Sequence, residues 1–283
     1  MQVIDRVAAW RKALDAERAG GHRVGLVPTM GALHAGHAAL IARAVADCDV
    51  VAVTVFVNPL QFGAGEDLAA YPRDLARDEA LAEAQGAAYV FAPSVQEMYP
   101  RPVATTVAVP SLSARWEGEG RPGHFDGVAT VVTKLLSQAG PCRAYFGEKD
   151  YQQLCVVRRL VADLDLPVEV VGCPTVRDPD GLALSSRNAY LSADERRVAP
   201  LLHRALDAGA AALRGGAEPD AARAAMHALL SGEPAFTVQY AEAVDPDTLE
   251  PLAAALPTGG TARLLVAARL GRTRLIDNLG VTR

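Results

Sequence analysis

The chain has few cysteines, few aromatic residues and no excess of basic charge. Its 283 residues include 4 cysteines and 5% aromatic residues, and its formal net charge is -5. The four cysteines lie far apart, which excludes the paired spacings typical of zinc sites, redox dithiols and disulfide frameworks. The acidic balance argues against a broad surface for nucleic acid or membrane, so neither is expected as a partner.

Long hydrophobic runs are also missing. Half of the residues (50%) are hydrophobic, but the longest clear run, residues 50–57, is far shorter than the roughly 20 residues needed to span a bilayer. The first residues do not combine a basic segment, an apolar stretch and a small-residue cleavage site. We therefore expect a cytoplasmic protein whose cysteines are reduced.

What the sequence does contain is an alternation of short apolar runs and amphipathic segments. Buried strands are predicted at residues 24–27, 50–57, 88–91 and 168–171, and helices at 37–46, 74–85 and 152–164. This alternation predicts an α/β fold: a Rossmann-like parallel sheet with helices on both faces. Ligands of such sheets bind beyond the carboxyl ends of the strands.

The pattern changes after about residue 175. Helices are predicted at residues 192–213 and 219–230, and strands at 237–244 and 262–268. We therefore expect a Rossmann-like ligand-binding domain over residues 1–174. A smaller α+β domain over residues 175–283 is expected to act as its lid, because ligand sites favour domain interfaces.

A strand-to-helix turn with two histidines is the most informative motif. Residues 28–37 read Pro-Thr-Met-Gly-Ala-Leu-His-Ala-Gly-His directly after an apolar run. His34 and His37 are expected to share one face of a helix start, where several backbone N–H groups lack partners. Such donors predict a polyphosphate site. Zinc would need further ligands nearby; the remaining alternative is one surface histidine and one packed histidine.

Two further segments carry polar groups beside apolar ones. Residues 56–62 place Asn58 and Gln61 after the second strand, which suits a small substrate with hydroxyl and carboxylate groups, although an ordinary Asn-Pro turn is the alternative. The polar residues 63–67 that follow are a candidate lid. Residues 118–128 contain four glycines, which indicate close backbone approach or mobility, or an ordinary surface loop.

Two basic segments complete the set of motifs. In residues 145–153, Lys149 supplies a point charge for phosphate and Gln153 lies four residues beyond it; a solvated helix start is the alternative. In residues 176–188, Arg187 can bind phosphate through two nitrogens, and Ser185 and Ser186 add neutral donors. Alternatively, Ser185 only caps the next helix.

Together these motifs resemble the pantoate–β-alanine ligase (pantothenate synthetase) family of the class I aminoacyl-tRNA synthetase-like nucleotidyltransferase superfamily. The resemblance rests on His34-X-Gly-His37, on Leu184-Ser185-Ser186-Arg187-Asn188, and on the segments 56–62, 121–128 and 147–153 between them. It implies an AMP-forming acid–amino-acid ligase, typically a homodimer. That ligase condenses (R)-pantoate with β-alanine through a pantoyl adenylate, yielding pantothenate, AMP and diphosphate.

The resemblance also implies the roles of individual residues. ATP would contact Met30, Gly31, Ala32, Leu33, His34, Ala35, Gly36, His37, Gly147, Glu148, Lys149, Asp150, Val176, Leu184, Ser185, Ser186 and Arg187. Among these, His37, His34, Lys149 and Arg187 are the candidate catalytic residues. Pantoate would contact Gln61 and Gln153, with β-alanine passing near Gln61, and Asn58 is a further candidate substrate contact.

Mg²⁺ is expected with ATP, because a metal ion that bridges phosphates neutralises their charge. Neither zinc nor an organic prosthetic group is expected. Asp78 resembles a metal-associated carboxylate of the family, but its neighbours Arg77 and Glu79 depart from the acidic run of relatives, and an exposed helix residue is the alternative.

Two other functions are compatible with parts of the pattern. An adenylyltransferase that acts on a phosphorylated cofactor precursor could share the histidine motif, but it would not need the two glutamines. The third possibility is a nucleotide-binding regulator without catalysis. The presence of both histidines, of Lys149 and of Arg187 argues against it.

Overall fold

The computed structural model describes residues 1–63, 68–69 and 71–283. The candidate lid over residues 63–67 lies outside this part of the chain, except for Gly63. The described chain divides into two compact units. The first contains residues 1–148 and 152–174, and the second contains residues 149–151 and 175–283.

A six-stranded parallel sheet forms the centre of the first unit, counted over the described residues. Its strands are β1 (Gln2–Ile4), β2 (Val24–Thr29), β3 (Val50–Val55), β4 (Tyr89–Phe91), β5 (Cys142–Gly147) and β6 (Val168–Cys173). They lie in the order β1-β4-β3-β2-β5-β6, and every neighbouring pair is parallel. The order reverses next to β2, so the carboxyl end of β2 lies where ligands bind in folds of this kind.

Helices cover both faces of this sheet. Leu26 and Val27 are neighbours on β2, so their side chains point to opposite faces, and both are 0% exposed. The helices of the first unit are α1 (Val7–Ala19), α2 (Ala35–Asp47), α3 (Leu75–Ala84), α4 (Val95–Met98), α5 (Pro110–Ser113), α6 (Glu117–Gly120), α7 (His124–Ala139) and α8 (Tyr151–Asp163), whose first residue belongs to the second unit. The predicted α/β fold is confirmed.

The second unit packs helices against an antiparallel sheet. Its elements are α9 (Ala193–Val198), α10 (Leu201–Arg214), α11 (Pro219–Ser231), β7 (Phe236–Val244), β8 (Thr261–Leu270) and β9 (Thr273–Thr282). The described strands are paired in the order β7-β8-β9. Leu206, Met226 and Val266 are each 0% exposed in its core, so one apolar face of α10, of α11 and of β8 is buried.

Two local expectations are wrong, and some strands were missed. The predicted helix over residues 192–213 is two helices, α9 and α10, because Pro200 has no N–H and cannot continue the first of them. The predicted strand over residues 50–57 ends at Val55. Strands β1, β5 and β9 were not predicted: β1 is only three residues long, and β5 and β9 carry polar residues and glycine. No helix in the described part of the chain is long and apolar enough to cross a membrane.

Candidate functional site

The two histidines form the cap of α2. His34 is the residue before the helix, and its Nδ1 accepts a hydrogen bond from the backbone N–H of Gly36 at 3.1 Å. The backbone N–H of His34 in turn donates to Nδ1 of His37 at 3.3 Å. A Cβ on Gly36 would lie 2.8 Å from Cε1 of His34, so only glycine leaves room for the capping ring. The imidazole rings, 4.2 Å apart at their centroids, therefore lie side by side.

This cap fixes the tautomer of both imidazoles. A nitrogen that accepts an N–H cannot carry a proton itself, so the proton of each neutral ring is on Nε2. Each Nε2 is then a hydrogen-bond donor. The helix start thus presents two adjacent neutral donors beside the positive end of the α2 dipole, which suits the oxygens of a phosphate group.

The loop between β2 and α2 is held from inside the protein. The expectation that its backbone N–H groups lack partners is wrong for five residues, because each of them donates to a side chain of the same unit. The donors are Gly31 to Thr29 Oγ1, Ala32 and Leu33 to the carboxylate of Asp78, His34 to His37, and Gly36 to His34. These five amides therefore hold the loop, and the Nε2–H groups of the two imidazoles are the donors that the cap orients.

Asp78 on α3 is the anchor of that loop. Its Oδ2 accepts the Ala32 N–H at 3.0 Å and its Oδ1 accepts the Leu33 N–H at 2.7 Å. The residue is 2% exposed. Burial raises the pKa of Asp78, and the two backbone hydrogen bonds oppose that shift. Gly31, at a φ of +83°, passes so close that a Cβ there would lie 2.8 Å from Oδ2.

Asn58 and Gln61 form a second group after β3. The Asn58 amide uses all its positions inside the unit: Nδ2 donates to Gln61 Oε1 and to the Gly127 carbonyl, and Oδ1 accepts from the Tyr99 hydroxyl and the Leu60 N–H. Asn58 is 1% exposed. Asn58 thus supports Gln61 from inside the unit, and its direct contact with substrate stays a prediction.

Gln61 is oriented by its neighbours. Its Oε1 faces Asn58, and its Nε2 donates to Sδ of Met30 at 3.0 Å. The backbone carbonyl of Gln61 accepts from Nδ1 of His124 at 2.8 Å. Because Met30 belongs to the turn that leads to α2, the structure brings Gln61 and the histidine motif together.

The glycine-rich segment packs against residues 60 and 61. Nη1 of Arg121 donates to Nε2 of His124 at 2.8 Å, so the proton of that imidazole is on Nδ1, where it reaches Gln61. Gly127 on α7 lets this helix approach residues 60 and 61: a Cβ there would lie 2.2 Å from the carbonyl oxygen of Leu60. Arg121, His124 and Gly127 therefore shape the surroundings of Gln61.

The end of β5 leads into the second predicted ATP segment. Gly147 is the last residue of β5, and among the described residues beyond its two chain neighbours no atom lies within 4 Å of the position that a Cβ would take there. Gln152 is buried and holds residues 112–117: it donates to the carbonyls of Leu112 and Arg115 and accepts from Glu117. Gln153, the predicted substrate contact, is partly exposed on α8.

Lys149 lies in the second unit. Its Nζ is 3.3 Å from Oδ1 of Asp150, and its backbone carbonyl accepts from Nδ2 of Asn278 at 2.8 Å. The Lys149 side chain is 18% exposed, so its charge is shielded from bulk water more than a surface lysine would be.

The predicted phosphate loop also lies in the second unit. Val176 accepts the Leu184 N–H at 2.9 Å, and the chain turns back between these two residues. Ser185 then caps a 3₁₀ turn over Ser186–Tyr190 by accepting the Arg187 N–H at 3.3 Å. The capping alternative is therefore right for the Ser185 oxygen, while its hydroxyl proton can still be donated. Arg187 is partly exposed.

Several residues of these sites had no signal in the local sequence. The anchoring roles of Asp78, Tyr99 and Gln152 depend on contacts between 35 and 46 residues along the chain. Asn278 lies 129 residues from Lys149. Only their burial, nearly complete for Asp78, Gln152 and Asn278 and partial for Tyr99, distinguishes them from surface groups, and the sequence does not give it. In the described part of the chain, no group of three His, Cys, Asp or Glu residues could hold a metal ion.

Comparisons with known proteins agree over the whole chain. A family model described as Pantoate-beta-alanine ligase matches residues 2–280. The curated pantothenate synthetase of Rhizobium rhizogenes is 51% identical, with 100% of this chain and 97% of the relative covered. That of Rhizorhabdus wittichii is 53% identical, with 99% of each covered.

Solved structures give the same result. Pantothenate synthetase from Thermus thermophilus has a TM-score of 0.94 at 53% identity, with 100% of both chains covered. Pantoate-beta-alanine ligase from Francisella tularensis, crystallised with "Beta-gamma ATP" and β-alanine, has a TM-score of 0.80 at 31% identity. This second comparison covers 99% of this chain and 97% of the other.

Proposed function

The chain belongs to the pantoate-beta-alanine ligase family, and on that premise we propose how its residues join pantoate to β-alanine with ATP. The overall reaction yields pantothenate, AMP and pyrophosphate. The observation that carries the proposal is the pair of capping imidazoles, which presents two Nε2–H donors at the start of α2.

In the first step, a carboxylate oxygen of (R)-pantoate attacks the α-phosphorus of ATP. A P–O bond forms to the carboxylate, and the bond from the α-phosphorus to the bridging oxygen breaks, so pyrophosphate leaves with that oxygen. Negative charge grows on the phosphate oxygens. His34 and His37 donate to them through Nε2, and Lys149 and Arg187 supply positive charge. Ser185 and Ser186 donate neutral hydrogen bonds.

The remaining ATP contacts follow the chain. The Met30–His37 turn and Gly147 offer surfaces that nucleotide can approach closely, because Gly147 has open space where a side chain would be. Glu148, Asp150, Val176 and Leu184 complete the proposed ATP-binding set.

Pantoate is held by glutamines. Gln61 has its Oε1 turned to Asn58 and one Nε2 proton turned to Met30, so its second Nε2 proton is the one that donates to pantoate. Asn58 orients Gln61. Gln153 provides the other amide. In the second step the β-alanine amine attacks the acyl carbon of the pantoyl adenylate, AMP leaves, and the amine loses a proton.

Mg²⁺ is proposed to accompany ATP. The described residues do not build a protein site for it: none of them form a three-ligand group, and both oxygens of Asp78 already accept backbone N–H groups. Asp78 is therefore assigned to the loop and not to the metal. When bound, the ion neutralises phosphate charge.

Pantoate as substrate, a homodimeric assembly and a cytoplasmic location are proposed from the family resemblance. The homodimer can be tested by light scattering at several protein concentrations. A mass that equals one chain at all of them would exclude it.

The proposed reaction is tested by isotope exchange between pyrophosphate and ATP. Exchange should require pantoate and proceed without β-alanine, and net AMP formation should require both acids. An adenylyltransferase would instead release a stable adenylylated product from a phosphorylated precursor. Exchange that is independent of pantoate would contradict the proposal, and so would the absence of exchange.

A further inference from the structure

Two neighbouring polar residues are buried in the last strand of the chain. Asp277 and Asn278 lie in the middle of β9 and are 5% and 4% exposed. Successive side chains of a strand point to opposite faces, so these two residues contact different parts of the second unit. Burying a polar side chain costs folding free energy unless the side chain is fully hydrogen-bonded.

Asn278 binds the backbone of Lys149. Its Nδ2 donates to the Lys149 carbonyl at 2.8 Å, and its Oδ1 accepts from Nε of Arg263 at 2.8 Å and from Nη2 of the same guanidinium. The guanidinium has only donors, so the orientation of the Asn278 amide is unambiguous. One amide therefore joins the proposed phosphate-binding lysine to a charged group of β8.

Arg263 fixes the same segment from a second direction. Its guanidinium carbon lies 3.8 Å from the ring centroid of Tyr151, a cation–π distance. The hydroxyl of Tyr151 donates to the Pro246 carbonyl at 3.1 Å. The segment 149–151 is thus held at two points: Asn278 binds the carbonyl of Lys149, and Arg263 covers the ring of Tyr151.

Asp277 holds the other proposed phosphate segment. Its two oxygens accept from Nη1 and Nη2 of Arg177 at 2.6 and 2.9 Å. Nη1 of Arg177 also donates to the carbonyl of Gly181 at 3.0 Å. This arginine therefore closes the turn whose returning arm runs through Leu184 into Ser185 and Arg187.

We infer that Asp277 and Asn278 are positioning residues for the adenylation step: Asn278 acts through Lys149, and Asp277 acts through the turn that carries Arg187. The inference rests on the proposed function, because it assigns Lys149 and Arg187 to phosphate. Two residues adjacent on one strand thereby fix the separation of two cationic groups that are 38 residues apart in sequence.

The test for Asn278 is a double-mutant cycle with Lys149, read by pyrophosphate exchange. Asn278→Asp keeps an oxygen for Arg263 and replaces the Lys149 donor with an oxygen that repels the carbonyl. The exchange kcat should fall about 10- to 100-fold, because a misplacement of about 1 Å costs up to about 100-fold. KM for pantoate should not change. In a Lys149→Ala background the same substitution should change kcat less than about 2-fold.

The test for Asp277 has the same form. Asp277→Asn keeps one acceptor for Arg177 and removes the two-oxygen contact. Its exchange kcat should fall by about 10-fold or more, by the same misplacement argument. The loss should disappear in an Arg187→Ala background. A loss that persists in full beside Arg187→Ala would overturn the role given to Asp277.

Controls separate positioning from general destabilisation. Glu242→Gln, on strand β7 of the same sheet, weakens the ion pair with Arg223 of α11 and should lower the melting temperature while leaving exchange unchanged. If Asn278→Asp does not fold, Arg263→Lys replaces it in the cycle, because it keeps the charge and loses the two-nitrogen contact.

The outcomes distinguish failure of a positioning role from failure of the proposed function. If the Asn278→Asp variant exchanges at the wild-type rate, the role of Asn278 alone is overturned. The same conclusion follows if Asn278→Asp lowers kcat as much in the Lys149→Ala background as in the wild type. Absence of pantoate-dependent exchange in the wild type overturns the proposed function, and the positioning roles with it.

Discussion

The carboxylate of Asp78 accepts the backbone N–H of Leu33 at 2.7 Å, across 45 residues of sequence. Helix α3 thereby holds the loop that ends in the histidine cap of α2. The position of the two imidazoles depends on a buried carboxylate that takes no part in the cap hydrogen bonds themselves, but fixes the residues immediately before them.

Asp78→Asn should impair both stability and exchange. The amide keeps one oxygen and turns an NH₂ group toward a backbone N–H, so one donor of the loop is left unsatisfied, at about 1–3 kcal/mol. Thermal unfolding and pyrophosphate exchange are the measurements. Asp74→Ala is the matched control. It removes the cap of the same helix, an exposed carboxylate that accepts the backbone N–H of Arg77. This variant should lower stability without a loss of exchange. Equal exchange in both variants would contradict the role of Asp78.

The neutral imidazoles of His34 and His37 should carry their protons on Nε2. The reason is that Nδ1 of each accepts a backbone N–H. Long-range ¹H–¹⁵N correlation spectra above the histidine titration range distinguish the two tautomers. His124 provides the internal comparison, because its Nε2 accepts from Arg121 and its proton should be on Nδ1. Nδ1 protonation at His34 or His37 would contradict the cap.

Gly147→Ala should fold normally and bind ATP poorly. In the part of the chain that the structure describes, no atom beyond the two chain neighbours lies within 4 Å of the Cβ position, so the added methyl group meets no described side chain. It would, however, stand where we propose that nucleotide approaches. KM for ATP should rise by about 10-fold, the equivalent of roughly 1.4 kcal/mol, at an unchanged melting temperature. Gly127→Ala is the contrasting variant, since its Cβ would meet Leu60 at 2.2 Å and should lower the melting temperature.

Tyr99 should make the protein less stable in strong alkali. Burial raises the pKa of Tyr99 to about 12, above the value of about 10 for an unfolded chain. The contribution of this phenol is therefore complete below about pH 10 and is lost as the pH rises toward 12. Denaturant titrations at pH 9 and pH 11 should show a smaller drop in unfolding free energy for Tyr99→Phe than for the wild type. Tyr190→Phe, which removes an exposed phenol, should follow the wild type.

The sequence predicted those features whose signals are local. The alternation of apolar runs and amphipathic segments predicted the parallel sheet, and Gly36 between two histidines predicted a helix start that presents imidazoles. Both depend on residues within one turn or one strand of each other. The cap itself was not predicted, because nothing in the pattern says that an imidazole takes the place of serine or aspartate.

What the sequence did not predict is governed by distant contacts. Asp78 has the appearance of a surface carboxylate in a charged helix, and its burial depends on a loop 45 residues earlier. Strand β9 was missed because Asp277, Asn278 and Gly280 are residue types depleted in strands. Asp277 and Asn278, which help to obscure the strand in the sequence, are the residues that hold the proposed phosphate-binding segments.

Residues 149–151 belong to the second unit, and this has a consequence for truncation and recombination of the gene. A gene fragment that begins at codon 175 would encode an incomplete unit, without the carbonyl that Asn278 binds and without the ring that Arg263 covers. Recombination between related genes would preserve these contacts only if the tripeptide and the carboxyl-terminal strands came from compatible parents. Substitutions in residues 149–151 and in strands β8 and β9 are therefore expected to be selected together.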